Sequence, residues 1–214
     1  MNFSPSLMCA NQLKLMEEIE NLESTCISSF HIDIMDGVFV KNFALSWGQV
    51  QAIRKVTTLP LEVHMMVKDL QPHKEFILGS NVDVVFLHSN PLCLRQDIEF
   101  LENNGILPGI VIDKDVSLEE FQNLKKLSSY FLYMRVKPGF AGQKPLPGCD
   151  TTLKLLLTKY QDAKFAVDGA VNKEFIKIFK IYSNCNFVLG TSALFNKRRD
   201  YRELLDELSE WNLQ

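Results

Sequence analysis

The sequence predicts one α/β domain, a (β/α)8 barrel that spans residues 1–214. Strand-like and helix-like segments alternate eight times along the chain, and no linker, low-complexity segment or exact repeat interrupts them. Runs such as 82–87 and 107–112 are apolar at nearly every position, which is typical of parallel strands buried on both faces. A chain of 214 residues is long enough to arrange these units around a single core.

The individual elements follow from local patterns. Strands are predicted near residues 3–8, 29–34, 60–67, 82–88, 107–112, 130–136, 163–168 and 186–190. Helices are predicted near residues 11–24, 45–56, 72–80, 92–104, 117–128, 150–161, 172–182 and 200–211. Met16, Ile19 and Leu22 share one face of the first helix at helical spacing. Ser117, with Glu120 at the third position after it, predicts a capping box at the start of the fifth helix.

An open, doubly wound sheet is the alternative arrangement of the same elements. That fold commonly carries a glycine-rich nucleotide motif after a strand. Neither Gly-x-Gly-x-x-Gly nor Gly-x-x-x-x-Gly-Lys-[Ser/Thr] occurs in this sequence. In a closed barrel the carboxyl ends of the strands meet at a common mouth, and active sites are built there.

Composition narrows the classes of function. The net charge is −3 and no run of like charges occurs, so we expect no nucleic-acid partner. No stretch reaches the roughly 18 to 20 apolar residues of a membrane span, and no signal peptide is recognisable at the N-terminus. The 5 cysteines are scattered without a C-x-x-C pair, which indicates reduced thiols. We therefore expect a cytoplasmic protein with no membrane partner.

Two histidines and two aspartates stand at or near the carboxyl ends of three short apolar strands. They are His31, Asp33, His64 and Asp168. Because residues i and i+2 share a face of a strand, His31 and Asp33 point the same way. A ligand set of two imidazoles and two carboxylates suits one divalent cation such as zinc, manganese, iron or cobalt, and two carboxylates can also transfer protons. Each histidine alone is better explained as a hydrogen-bonded structural residue, but the combination favours a metal site.

Methionines and glycine-containing turns accompany this group. The methionines are Met35, Met66 and Met134, which either fill the core or form an apolar cover over a ligand. The turns follow the last three strands and contain Gly139, Phe140, Ala141 and Gly142, then Gly169 and Ala170, then Gly190, Thr191 and Ser192. Barrels frequently bind phosphate in this region, and backbone N–H groups can hold an anion without a basic side chain. A phosphate site is therefore compatible with an acidic chain.

Taken together, these motifs resemble the ribulose-phosphate 3-epimerase family. The matching segments occur in the family's order over nearly the whole chain, and they are 4–7, 31–40, 64–67, 138–143, 167–169 and 190–192. The resemblance implies an isomerase of carbohydrate metabolism, built on a (β/α)8 TIM barrel, that inverts C3 of a ketose phosphate with one divalent metal ion.

Carried over residue by residue, the resemblance implies metal ligands at His31, Asp33, His64 and Asp168. Asp33 and Asp168 are then the acid and base that move the C3 proton through an enediolate. Ser6 and His64 are expected to contact the substrate, flanked by the three methionines. The three glycine turns are expected to hold its phosphate.

The resemblance also bears on the sugar. Segments 4–9, 140–143 and 190–196 are more similar to family members that interconvert D-allulose 6-phosphate and D-fructose 6-phosphate. The alternative is the interconversion of D-ribulose 5-phosphate and D-xylulose 5-phosphate. Lys41 and Lys137 stand at the rim where the family usually has other residues, so both bear on the choice of sugar.

Two further departures from the family leave the proposed ligands intact. The segment His88-Ser89-Asn90 replaces a His-x-Glu, and Ala170 stands where a second glycine is common. We assign His88 a supporting role at most.

Two rival functions remain. A non-catalytic barrel that binds a phosphorylated sugar would be expected to lack one of the two acid/base aspartates, and both are present. A metal-free phosphate-sugar isomerase or an aldolase is the other rival, with Lys137 as the one rim lysine able to form a Schiff base. In each case the partner is a small phosphorylated ketose, and we expect a homo-oligomer.

Overall fold

The computed structural model describes residues 1–89, 93–195 and 199–209, and these residues contain eight parallel strands and eight α-helices. The strands are β1 (Asn2–Pro5), β2 (Phe30–Met35), β3 (Leu61–Met66), β4 (Val84–His88), β5 (Leu107–Ile112), β6 (Tyr130–Met134), β7 (Lys164–Asp168) and β8 (Cys185–Leu189). The helices are α1 (Leu15–Glu23), α2 (Trp47–Val56), α3 (Lys74–Gly79), α4 (Leu94–Asn103), α5 (Leu118–Leu124), α6 (Cys149–Lys159), α7 (Lys173–Phe179) and α8 (Tyr201–Ser209).

The strands form one sheet in the order β1-β8-β7-β6-β5-β4-β3-β2. The sheet bends round until its two edges meet, where Ser6 pairs with His31 in a parallel bridge. The backbone N–H of Ser28 adds a hydrogen bond of 2.9 Å to the carbonyl of Phe3 across the same seam. The predicted single (β/α)8 barrel is therefore confirmed, and the open doubly wound alternative is wrong.

All sixteen predicted elements are present, and the differences lie at their ends. The first strand stops at Pro5 because the chain turns into a 3-10 helix at Leu7–Cys9, where the N–H of Cys9 donates to the carbonyl of Ser6 at 3.0 Å. Ser117 accepts a hydrogen bond from the N–H of Glu120, which is half of the predicted capping box. Residues 92 and 210–211, where two predicted helices begin or end, lie outside the described residues.

Side chains alternate between two apolar layers. Ile32 and Ile34 of β2 belong to the large core between the sheet and the helices. The inner layer fills the barrel itself, and its members are Val84, Phe86, Val111, Tyr130, Leu132, Met134, Val136, Ala166 and Val188. This alternation follows from the period of two along each strand.

Phe86 is the side chain of the inner layer that lies beneath the histidines. Its ring centroid is 6.4 Å from that of His31 and meets Tyr130 edge to face at 5.0 Å. Gly109 on the adjacent strand β5 makes room for this ring, since a Cβ at that position would be 2.1 Å from Cδ1 of Phe86. The position of the Phe86 ring next to His31 therefore depends on the absence of a side chain at Gly109.

We expect Gly109→Ala to lower the free energy of unfolding by about 1–3 kcal/mol, the usual cost of overpacking a core. Gly48→Ala is the matched control, because its new Cβ, in the first turn of α2, would be 3.9 Å from the nearest atom, Ser46 Oγ. That control is expected to be neutral or slightly stabilising. Urea unfolding of both variants measures the difference, and equal stabilities would contradict this account of Phe86.

Candidate active site

The four predicted ligand residues meet at the carboxyl end of the barrel. One donor atom from each of His31, Asp33, His64 and Asp168 lies within 4.8 Å of the others. The parallel register of β2 and β3 pairs Asp33 with His64, so these two side chains stand beside each other. Asp168 arrives from β7, which the closed sheet brings round to the same mouth.

The Asp33 carboxylate is the centre of this group and is buried. Ser6 Oγ donates a hydrogen bond of 2.9 Å to Asp33 Oδ2. The other oxygen, Oδ1, is 3.2 Å from Nδ1 of His64 and 3.5 Å from Nε2 of His31. Ser6, predicted as a substrate contact, therefore also orients a proposed metal ligand.

His31 carries the strongest structural indication of a bound cation. Its side chain is 0% exposed, and neither ring nitrogen has a hydrogen-bond partner among the described residues. A buried polar atom without a partner is costly, so a cation bound by one of these nitrogens would stabilise the site. A divalent ion held by two imidazoles and two carboxylates fits both the orphaned nitrogen and the chemistry of the donor set.

His88 at the end of β4 belongs to the group more closely than the sequence predicted. Its Nε2 lies 2.9 Å from Nε2 of His64, and the Phe39 ring covers it at 4.5 Å. One of the two facing nitrogens must carry a proton, since two lone pairs repel. If His64 binds a cation through Nδ1, its Nε2–H donates to His88, which fixes the ring's tautomer and orientation.

The environments of the two aspartates separate their pKa values. Burial would raise the pKa of Asp33, but the adjacent His31 and the hydrogen bond with His64 hold it well below its usual range. Burial raises the pKa of Asp168, and the nearby Asp33 charge adds to that rise against the opposing effect of His31. Asp168 is therefore the carboxyl of this pair that more readily holds a proton.

A cleft of about 560 Å³, counting the space open to solvent at its mouth, lies over this group. Of the predicted site residues, those lining it are Ser6, Asp33, Met35, His64, Met66, Met134, Gly139, Phe140, Ala141, Gly142, Asp168, Gly169, Ala170, Gly190, Thr191 and Ser192. His31 alone among the predicted residues lies beneath the cleft rather than in its wall.

The loops at the mouth are tied to one another. Asp36 accepts hydrogen bonds from the N–H groups of Val38 and Phe39, both at 2.7 Å, and from the N–H of Lys68 at 2.8 Å. Asn42 Nδ2 reaches across the mouth to the carbonyl of Gly139 at 2.6 Å. The loop after β2 is thereby joined both to the end of β3 and to the predicted phosphate turn after β6.

The lysine that an aldolase would need is in an unsuitable place. Lys137 lines the mouth of the cleft and is exposed. A Schiff-base lysine is commonly activated by desolvation in an apolar pocket. An exposed ammonium group at the rim is better suited to meeting a charged part of a ligand.

The model of the family described as "Ribulose-phosphate 3 epimerase family" matches residues 2–195. The chain is 28% identical over 211 residues to the ribulose-phosphate 3-epimerase of Bacillus subtilis, which covers 96% of each sequence. It is 28% identical over 210 residues to the chloroplastic ribulose-5-phosphate-3-epimerase of Arabidopsis thaliana, which covers 94% of this chain and 74% of that protein.

Solved structures resemble the chain at lower identity. A tryptophan synthase alpha-subunit from Pyrococcus furiosus gives a TM-score of 0.70 at 14% identity and covers 98% of this chain and 97% of its own. Phosphoribosyl anthranilate isomerase from Thermococcus kodakaraensis gives 0.68 at 9% identity with the same coverage. At such identities the likeness concerns the barrel fold alone. Within the described ranges, no helix is both long enough and apolar enough to cross a membrane.

Metal binding is testable without an activity assay. We expect metal-stripped protein to bind one Zn²⁺, measured by calorimetry and elemental analysis. His88→Ala should weaken binding by about 10- to 100-fold, as loss of an outer hydrogen-bond partner does, and His64→Ala should weaken it more. His73→Ala is the control, because His73 accepts a hydrogen bond from Trp47 outside the group. Unchanged affinity in both His64→Ala and His88→Ala would contradict the assignment.

Proposed function

The chain belongs to the ribulose-phosphate 3-epimerase family and is an isomerase, a 3-epimerase of a ketose phosphate, and we propose that Asp33 and Asp168 are its proton-transfer pair. We also propose that its cofactor is a divalent metal ion. The observation that carries the proposal is that His64 and the two aspartates line one cleft, with His31 buried beside them. Two carboxylates that reach one cleft from different strands can serve as the base and the acid of an inversion.

Inversion at C3 needs a proton removed from one face of the carbon and returned to the other. A hydrogen beside a ketone is only weakly acidic, so the negative charge that develops in the enediolate must be stabilised. The bound cation would supply that stabilisation as a Lewis acid. We assign to His31, His64 and the two aspartates the role of holding it.

The two aspartates approach from different strands. β2 carries Asp33 and β7 carries Asp168, with β1 and β8 between them round the closed sheet. In one direction Asp33 takes the C3 proton while Asp168 donates its own. The roles exchange in the reverse direction, so either epimer can serve as substrate.

The phosphate is assigned to the three glycine turns that line the same cleft. Backbone N–H groups there can bind a dianion in a chain of net charge −3 without a buried lysine. Met35, Met66 and Met134 supply an apolar wall beside the reacting carbon. Such a wall keeps bulk water from the developing charge.

Two sugars are candidates. The likeness of segments 4–9, 140–143 and 190–196 to enzymes of D-allulose 6-phosphate favours the interconversion of that sugar with D-fructose 6-phosphate. The names of the relatives reported above favour D-ribulose 5-phosphate and D-xylulose 5-phosphate. Lys137 at the mouth and Lys41 on the exposed loop after β2 are the residues expected to adjust the choice.

A non-catalytic sugar-binding barrel is less well supported, because both acid/base carboxylates are retained in the cleft. We also propose a cytoplasmic location, supported by five free cysteines, all of which lie within the described ranges. We also propose a homo-oligomer, in which the exposed side chains of Ile178 and Ile181 would be available for contact.

The substrate is decided by a side-by-side assay. We expect higher kcat/KM for D-allulose 6-phosphate than for D-ribulose 5-phosphate. For unphosphorylated D-allulose, kcat/KM should be lower by about 10⁴-fold, because a site built to hydrogen-bond a group rejects an analogue that lacks it. A higher value for D-ribulose 5-phosphate would reverse the choice of sugar, whereas equal turnover of the unphosphorylated sugar would remove the phosphate site.

The two-base scheme predicts an isotope pattern. Run in D2O, the wild type should place solvent deuterium at C3 of the product. Asp33→Asn and Asp168→Asn should each lower the rate by about 10²–10⁴-fold, since each loses one positioned acid or base. Asp113→Asn, an aspartate just beyond β5 that lines a neighbouring cleft, is the control. Near wild-type epimerisation in either active-site variant, or product without the label, would rule the scheme out.

A further inference from the structure

A buried arginine lies directly behind one wall of the cleft. Arg135 follows the last residue of β6 and is 3% exposed. Its neighbours Met134 and Val136 both line the cleft, but Arg135 does not. Since successive side chains of an extended chain alternate, its guanidinium lies on the helix side of the barrel wall.

The guanidinium binds the backbone of the turn that follows β7. Nη1 of Arg135 donates to the carbonyl of Gly169 at 3.0 Å and to the carbonyl of Ala170 at 2.8 Å. The backbone N–H of Arg135 donates to the carbonyl of Asp168 at 2.8 Å. One residue therefore holds three successive carbonyls, including that of a proposed catalytic aspartate.

The turn it holds is strained. Gly169 has φ +98° and Ala170 has φ +52°, a left-handed conformation that costs a residue with a side chain free energy. Glycine is required at 169, since a Cβ there would be 2.5 Å from Val136 Cγ2 and 3.0 Å from the Val136 backbone nitrogen. Such a turn persists only when its surroundings fix it, and Arg135 supplies the fixing contacts.

Because Arg135 binds the carbonyls of Gly169 and Ala170 on the helix side of the turn, the N–H groups that follow them face the other side. In a planar trans peptide the C=O and the following N–H point in opposite directions. The N–H groups of Ala170 and Val171 therefore point away from Arg135, toward the cleft that both residues line. In the described part of the chain, neither N–H donates to a protein atom. Two free donors in a cleft wall suit an anion.

The guanidinium is itself locked in place. Nε and Nη2 of Arg135 donate to the two carboxylate oxygens of Asp150 in α6, at 2.9 and 3.2 Å. The Phe175 ring of α7 lies against the guanidinium, 3.8 Å from Cζ to the ring centroid. A bidentate partner and a stacked ring fix the plane of the group, which a lysine could not reproduce.

We propose that Arg135 is a positioning residue that sets the 168–170 turn to receive the phosphate of the substrate, with Asp150 fixing Arg135. The inference rests on the proposed function, because it takes this turn as part of the phosphate site. Arg135 touches no substrate; it acts through the backbone it orders. Its loss should therefore weaken phosphate binding and leave the chemistry on the sugar carbon largely intact.

The chain contains a matched control at the opposite end of the barrel. Arg54 donates to the carbonyls of Thr57 and Leu59 and pairs with Asp83 at 3.1 Å. The side chains of Arg54 and Asp83 are 15% and 48% exposed, against 4% and 50% for Arg135 and Asp150. Arg54→Met thus removes the same kinds of contact at a place with no link to the cleft.

The experiment compares Arg135→Met, Arg135→Lys and Arg54→Met with the wild type. For the phosphorylated ketose we expect Arg135→Met to raise KM, and the inhibition constant of inorganic phosphate, by up to about 10²-fold, the scale of a misplacement of about 1 Å. kcat, and kcat/KM for the unphosphorylated sugar, should change much less. Arg54→Met should leave all these constants unchanged while lowering the unfolding midpoint similarly.

Each outcome separates the two claims. If wild-type protein discriminates for the phosphorylated sugar but Arg135→Met binds phosphate as Arg54→Met does, the positioning role is overturned and the proposed function stands. If the wild type neither prefers the phosphorylated sugar nor is inhibited by inorganic phosphate, both claims fail. Should Arg135→Met not fold, Arg135→Lys keeps the charge but loses the fork, and unchanged phosphate inhibition in that variant would equally overturn the inference.

Discussion

The burial of one carboxylate, that of Asp33, governs the arrangement of the barrel mouth. An ionised group out of contact with water must be matched by donors or positive charge. Ser6 Oγ, just after β1, lies 2.9 Å from Asp33 Oδ2, and His64 Nδ1, on β3, lies 3.2 Å from Asp33 Oδ1. His31 is on β2, the strand that carries Asp33. The partners of Asp33 therefore come from the segments on both sides of β2. One of them, Ser6, also forms the bridge with His31 that closes the sheet. Closure of the fold and assembly of the site are parts of the same local structure.

The interior beneath that carboxylate is arranged to support it. The Phe86 ring packs next to the His31 ring, and Gly109 leaves the space that Phe86 occupies. Next to this group, Arg135 holds the 168–170 turn from the helix side, and the other side of the turn lines the cleft. Rigid supports of this kind let a site keep its geometry in the absence of ligand, so that binding energy is not consumed in ordering the protein.

Much of this arrangement could be predicted from the sequence. Periodicity and the alternation of elements identify every strand, and polar residues at strand ends identify His31, Asp33, His64 and Asp168, because a barrel brings such ends to one mouth. The contacts of His88 and Arg135 are harder to predict from the sequence. The contact of His88 with His64 crosses between strands whose register no local pattern reveals. The partners of Arg135 come from three later segments of the chain, and a single arginine after a strand is indistinguishable from a surface residue until those segments are placed.

The pairing of β1 with β8 has a consequence for biosynthesis. The N–H of Ser6 donates to the carbonyl of Leu189 at 3.0 Å, so the first and last strands of the sheet are neighbours in space. A nascent chain that has emerged only as far as β7 already carries all four histidine and aspartate side chains of the site. It has no β8 to cover β1 and no Gly190 turn to complete the cleft. Such a chain exposes two unpaired strand edges, and the long separation of their partners makes closure a late step in folding. Competence to hold a sugar phosphate is thus delayed until the final strand leaves the ribosome.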